Sequence, residues 1–376
     1  MQSYLAFLQS LIQIDSTNPP GNEQAIIQQF INRSEATGLP YQVMTVDNNR
    51  SNFSVRIKGS NTDKGKLLLN GHTDTVKIGS QKWQYNPFDA HIEDGKLYGR
   101  GTTDMKSGLA ALYLALESLY LENYPLKKNV EFLATAGEEV DSIGATHYVN
   151  TQGMSDVEAI VIAEPTHERV VVGHKGAFWI EVKVTGKTAH GAMPEQGVNA
   201  IEAASEIIHL VERLKTEWKV RHDPLGTSSI SVNMIQGGIQ TNVISDECIL
   251  YVDIRSVIPN CHDKLYHDFN QALQSLFEGA TLPNVEAKII LNREAVLTNE
   301  QSQIIQDALT ITQQQQVGGV SYYTDASVLN SSSDIPTLIY GPGIETLAHQ
   351  PDEYVEVVAF ERSITFYKSL IIQYAG

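Results

Sequence analysis

The sequence predicts an α/β protein with a mixed, largely parallel sheet, interrupted by a smaller α+β domain of the ferredoxin-like type. Three observations lead there. Short apolar runs of strand length alternate with helical stretches through the first part of the chain. Between about residues 176 and 292 the texture changes to the order β-α-β-β-α-β. Finally, 376 residues, 42% of them hydrophobic, exceed what one ordinary core accommodates.

Residues 4–14 and 22–37 read as amphipathic helices, broken by Pro19-Pro20-Gly21 between them. Leu67–Leu69 is a short apolar strand, 108–119 an Ala- and Leu-rich helix, and Val130–Thr135 and Ala159–Ala163 are further strands. In 178–185 the residues Phe178, Ile180, Val182 and Val184 fall on one face, the mark of a half-buried strand. A helix over 200–215, strands over 229–235 and 247–255, a helix over 264–277 and a strand over 285–291 complete this unit. The expected division is therefore a first domain in two parts, 1–175 and 293–376, with 176–292 inserted. The first domain resumes with a helix near 302–312 and the strand Thr337–Tyr340.

The formal charge of -17 repels phosphate backbones and argues against a nucleic-acid partner. No apolar run reaches the ~18 residues needed to span a bilayer, and the N-terminus lacks the basic and small-residue pattern of a signal peptide. Cys248 and Cys261 make one bridge at most, so no disulfide framework exists. A cytoplasmic protein without membrane attachment is the expectation.

Several strands run directly into potential metal ligands. Leu67–Asn70 leads into Gly71-His72-Thr73-Asp74, Val130–Ala136 into Gly137-Glu138-Glu139, and Ala159–Ala163 into Glu164-Pro165. Thr337–Tyr340 leads into the loop holding His349. A glycine-rich loop, Gly99–Gly108, carries Asp104. Sites of open α/β sheets form at the carboxyl ends of strands, so these residues converge on one rim. Imidazole and carboxylate ligands without cysteine suit Zn, Co or Mn in a hydrolytic site. A metal pair about 3.5–4 Å apart needs a bridging carboxylate, and Asp104 is its natural source. Asp74 lies two residues after His72, on the same side of an extended segment, where it can fix the imidazole's tautomer. Of the adjacent Glu138 and Glu139, one can bind metal while the other takes a proton from a bridging water. His-x-Asp or Glu-Glu alone is common on ordinary surfaces; five acidic or His positions, each at a strand end or glycine-rich turn, are not. The remaining histidines, His91, His174 and His262 among them, have no such context and read as solvated or locally hydrogen-bonded.

These blocks, with Ala163-Glu164-Pro165 and His349-Gln350-Pro351-Asp352-Glu353-Tyr354, resemble the M20 metallopeptidases, in particular the acetylornithine deacetylase and succinyl-diaminopimelate desuccinylase group. The resemblance spans nearly the whole chain. It implies a zinc-peptidase-like catalytic domain and an inserted lid domain through which two copies dimerise. It also implies two zinc ions, one held by His72, Asp104 and Glu164, the other by Asp104, Glu139 and His349. Glu138 would be the general base and Asp74 the carboxylate behind His72. His190, in Thr188-Ala189-His190-Gly191, looks like the family histidine that reaches a neighbouring active site and stabilises the oxyanion. Thr241-Asn242-Val243 and Asp253-Ile254-Arg255 resemble substrate-binding segments, with Arg255 facing a substrate carboxylate. Thr324 lies where the family has a Gly-Thr-rich turn near substrate; here Tyr322-Tyr323 replaces the glycine, a departure that bears on the acyl pocket.

The implied reaction is attack of a metal-bridging hydroxide on an N-acyl amide of a small amino acid. Arg255 and the paired glutamates lean the reading toward the desuccinylase. A dipeptidase or aminoacylase on the same scaffold is the alternative. A non-catalytic binding protein would have lost the base or a ligand, and Glu138, Asp104 and His349 are all present.

Overall fold

The strand Lys66–His72 is buried along its whole length, in a computed structural model that describes residues 3–61, 65–279, 283–331 and 334–376. Its flanking strands are Asn129–Thr135 and Val157–Ile162, both parallel to it. Thr337–Ile339 extends the parallel set beyond Val157–Ile162. On the other side Arg50–Ile57 and Tyr41–Asp47 add antiparallel strands. Strands covered on both faces lose alternation and become continuous apolar runs, which is how Leu67–Leu69 and Ala159–Ile162 are written. His72 pairs with Thr135 and Asn70 with Ile162, so three strands end level with one another.

The helix Ser107–Leu121 is buried around nearly all its circumference. A helix with no polar face belongs between layers, and it packs against the C-terminal helix Val357–Ala375. It reaches the sheet because Gly108 faces the carbonyl of Ala163: a Cβ there would stand 2.0 Å from that oxygen. Beside it Phe7, Phe30, Phe53, Tyr113 and Phe132 form a cluster with centroids 5.0 to 6.4 Å apart. The Tyr113 hydroxyl keeps a partner, Ser34 Oγ at 2.8 Å.

Contacts divide the chain into two units, Met1–Gly173 with Thr298–Gly318 and Thr324–Gly376, and His174–Leu297 with Gly319–Tyr323. The sequence reading put the insert at 176–292. The second unit takes in Gly319–Tyr323 as well, where the Val320 carbonyl accepts the Lys175 N–H at 3.1 Å, a pairing between distant segments that no local pattern announces. Its sheet runs Ser229–Gly237, Glu247–Arg255, Ala177–Thr185, Asn284–Arg293, antiparallel throughout. In chain order this is 2-3-1-4, the ferredoxin-like arrangement. Phe178, Ile180, Val182 and Val184 form one core with Ile207, Val211 and Phe269 of the helices Ala200–Glu217 and His262–Leu276. Trp179, Glu181 and Lys183 point the other way and are half-buried or exposed.

His174, buried at the start of this unit, predicts a pH dependence. Its Nδ1 lies 2.9 Å from the Lys175 carbonyl, and Nε2 has no hydrogen-bond partner among the described residues. Burial pushes the ring down to about 4 from an ordinary value of 6.5. A folded pKa below the unfolded one means that the unfolded chain takes up the proton first. The stabilisation is therefore present above pH ~6.5 and is lost as pH falls toward ~4. Between pH 7.5 and pH 5 this group is expected to remove on the order of 2 kcal/mol. Denaturant titration of wild type and His174→Gln at both pH values checks it: the drop on acidification should be smaller in the variant, and equal drops would remove His174 as the cause.

Candidate metal centre

All elements of this centre lie in the first unit. His72 ends its strand and is buried. Its Nδ1 is 3.0 Å from the Asp74 carbonyl oxygen and 3.5 Å from Asp74 Oδ1. A carbonyl accepts only, so Nδ1 carries the proton and Nε2 is free to bind a cation. Nε2 faces Asp104 Oδ1 at 3.1 Å and Glu164 Oε1 at 3.7 Å.

The Asp74 side chain works mainly on the next strand end. Its Oδ1 accepts the backbone N–H groups of Gly137 and Glu138 at 3.0 and 3.1 Å. Its Oδ2 accepts that of Glu139 at 3.2 Å and the Asn18 amide at 2.9 Å. One buried carboxylate thus shapes the turn that carries two glutamates. Gly137 permits that turn, with φ at 83°.

Asp104 leaves its loop with extended backbone, φ -123° and ψ 98°. While Oδ1 meets His72, Oδ2 meets His349 Nε2 at 3.2 Å. His349 also faces Glu139 Oε2 at 3.3 Å. A single carboxylate therefore stands between two imidazoles, each with a further glutamate. His72, Asp104 and Glu139 bring ligand atoms within 4.8 Å of one another, and so do His72, Glu138 and Glu164. Glu139 Oε1 is buried without a hydrogen-bond partner among the described residues.

The electrostatics follow from so many acids in little water. Burial pushes Glu138 well above the usual carboxylate range, and the charges of Glu164 and Glu139 add to this. Burial and then the Asp104 charge do the same to Glu164. Burial also acts on Asp104, but hydrogen bonds from His349 and His72 outweigh it and hold its carboxyl low. Hydrogen bonds to Asp104 and then to Glu139 raise His349 to about 10. The surrounding acids raise the affinity of both imidazoles for positive charge. Divalent cations satisfy the same atoms, including the orphaned Glu139 oxygen, and the all-N,O donor set fits Zn, Co or Mn.

Other buried residues around these ligands have no role in the sequence analysis. Asp325 accepts from Thr135 Oγ1 at 2.6 Å, and burial pushes it up to about 6. Lys106 is buried, donates to the carbonyls of Leu11 and Ile14 at 3.1 and 2.9 Å, and is pushed down to about 7 by burial. Glu353 and Arg100 form a buried pair beside Asp104. Only their spatial neighbours mark them. Thr324 is itself buried, and its hydroxyl accepts the Ala326 N–H at 3.1 Å.

Within the second unit, His190 pairs with Val243 across a two-residue ladder, next to Asn242. His190 Nδ1 accepts the Ala192 N–H at 3.0 Å, so the neutral ring carries its proton on exposed Nε2. Arg255 is half-buried and pairs with Asp253 at 2.9 Å. Cys261, His262 and Glu294 also lie within ligand distance of one another. There Glu294 accepts the His262 and Cys261 N–H groups at 2.9 and 3.3 Å, and the His262 ring meets Asn292 and Ser256 at 2.6 and 2.8 Å. Glu294 thus satisfies N–H groups at the start of the helix His262–Leu276, and the His262 ring is held by side-chain partners.

The signature of peptidase family M20/M25/M40 matches residues 68–373. The chain belongs to that family. It is 29% identical to a probable succinyl-diaminopimelate desuccinylase of Staphylococcus aureus, over 98% of this chain and 97% of the relative. It is 32% identical to an acetylornithine deacetylase of Proteus mirabilis, over 94% and 90%. Among solved structures, a tripeptidase from Staphylococcus aureus matches with a TM-score of 0.78 at 24% identity, covering 98% of this chain and 97% of that one. A dinuclear metal-binding M20 peptidase from Bacillus subtilis matches with a TM-score of 0.74 at 14% identity, covering 98% and 96%. Among the described residues no helix is long and apolar enough to cross a membrane.

Proposed function

We propose that this M20 protein is a cytoplasmic amidohydrolase that removes a small acyl group from an amino-acid amine, of the succinyl-diaminopimelate desuccinylase or acetylornithine deacetylase type. The observation that carries it is Asp104, one carboxylate 3.1 Å from His72 and 3.2 Å from His349. His72, Asp104 and Glu164 would hold one divalent ion, and Asp104, Glu139 and His349 the other. Such a pair, zinc in the first instance, polarises the amide carbonyl and makes water acidic.

The chain's own residues do the rest. Glu138 takes the proton from water and gives it to the departing amine. Asp74 holds the Glu138 and Glu139 amides in place. His190 of one copy reaches the neighbouring copy's active site and donates to the carbonyl oxygen as negative charge develops there. Arg255 and Asn242 contact the substrate, with Arg255 on a carboxylate. Thr324 acts through the turn that it caps.

Two copies associate through the inserted unit. Ser229–Gly237 is an edge strand of its sheet, and Met234, Ile235 and Ile239 are 52%, 49% and 86% exposed on or beside it.

The test is amine release from N-succinyl-diaminopimelate, N-acetylornithine, other N-acyl amino acids and dipeptides, with the mass of the active species read by light scattering. One of the first two substrates is expected to exceed every dipeptide at least about tenfold in kcat/KM. A preferred dipeptide would replace this reading with a peptidase, and an active single-chain species would remove the dimer.

A further inference from the structure

We infer that Glu353 and Arg100 are positioning residues that set the spacing between Asp104 and His349, and so govern the affinity of one of the two metal positions. The inference rests on the metal reading above.

The two ligands come from loops about 245 residues apart in sequence, and Glu353 joins those loops. Its Oε1 accepts the backbone N–H groups of Thr103 and Asp104 at 2.8 and 3.0 Å. Its other oxygen accepts from Arg100 Nη1. Arg100 then reaches back, with its guanidinium nitrogens 3.4 Å from the carbonyls of His349 and Gln350. The Trp83 ring covers the guanidinium at 5.1 Å. Two further bonds close the seam: Gly99 N–H to the Glu353 carbonyl at 2.9 Å, and Thr103 Oγ1 to the Tyr354 carbonyl at 2.7 Å. Asp104 is therefore fixed at both ends, its amide by Glu353 and its carboxylate by His72 and His349.

Both members are almost wholly buried. A buried ion pair is a poor source of stability, because desolvation offsets the attraction. Placing one more carboxylate beside a cluster of carboxylates is worse still. What the pair provides is geometry: the His349 backbone and the Asp104 backbone are tied to the same two side chains. Groups that orient ligands from behind typically change metal affinity by about 10–100-fold.

The experiment is a cobalt(II) titration of metal-stripped protein, followed by calorimetry and visible absorption. Wild type should bind two ions. Glu353→Gln keeps an oxygen for the two N–H groups but loses the charge facing Arg100. It should bind one ion within about threefold of wild type and the other about 10–100-fold more weakly, with an altered visible band for that ion. KM should hold while kcat falls, and excess cobalt should restore kcat. Arg100→Lys keeps the charge but not the reach to His349; it should weaken the same ion less, and it gives the same reading if the first variant does not fold. Both ions bound by the variants as in wild type would overturn the clamp. A wild type that binds no second ion would overturn the metal reading, and the clamp with it.

Discussion

Glu138→Gln is expected to lower kcat by about 10²–10⁴-fold on the best substrate while leaving the metal content unchanged. The size follows from the role. A positioned base contributes that much when it takes a proton during attack and returns it during departure. The substitution is nearly isosteric. The Glu138 amide stays bonded to Asp74, so the backbone of the turn has no reason to move. What disappears is a buried group with a strong hold on a proton, repelled by Glu164 and Glu139. Removing that like charge should leave the melting temperature of the metal-free protein equal or higher. Steady-state kinetics with metal analysis on the same preparations checks both parts. A variant as fast as wild type would mean that another group is the base.

Asp104→Ala is expected to abolish binding at both metal positions together. Asp104 faces both imidazoles, through Oδ1 at 3.1 Å and Oδ2 at 3.2 Å. A bridging carboxylate belongs to two coordination spheres, and without it the remaining acids repel across the gap. Activity should fall by roughly 10³-fold or more, as for loss of Lewis-acid and general-base chemistry at once. His349→Ala is the useful contrast, because it removes a ligand from one position only. Metal-to-protein ratios after dialysis separate the two: near zero for Asp104→Ala, near one for His349→Ala. Equal retention of both ions by both variants would contradict the bridge.

The strand ends that carry His72, Glu138 and Glu164 were legible because each follows a strand whose apolar run announces itself. Leu67–Leu69 before His72, Val130–Thr135 before Glu138 and Ala159–Ala163 before Glu164 needed only local pattern. The ferredoxin-like unit was legible for a related reason: Ala177–Thr185 has one wet face and alternates. The hairpin Tyr41–Asp47 and Arg50–Ile57 went unread, since its second strand buries Ser51, Asn52 and Ser54. Polar residues are tolerated there because partners distant in sequence satisfy them; Asn52 donates to the Gly144 carbonyl at 2.8 Å and accepts the Ala136 N–H at 3.1 Å. Asn18 on Asp74 and Arg100 on Glu353 were hidden in the same way. Asp74 was read as an aid to His72. Its Oδ1 does lie 3.5 Å from His72 Nδ1, and its oxygens also bond three successive backbone amides of another strand end, a contact across 63 to 65 residues of sequence.

The most direct measurement is anomalous diffraction at the zinc edge from crystals grown with zinc. Two peaks about 3.5–4 Å apart are expected, one against His72 and Glu164, the other against His349 and Glu139, with the Asp104 carboxylate between them. No peak at Asp104, or a lone ion bound elsewhere in the chain, would contradict the account.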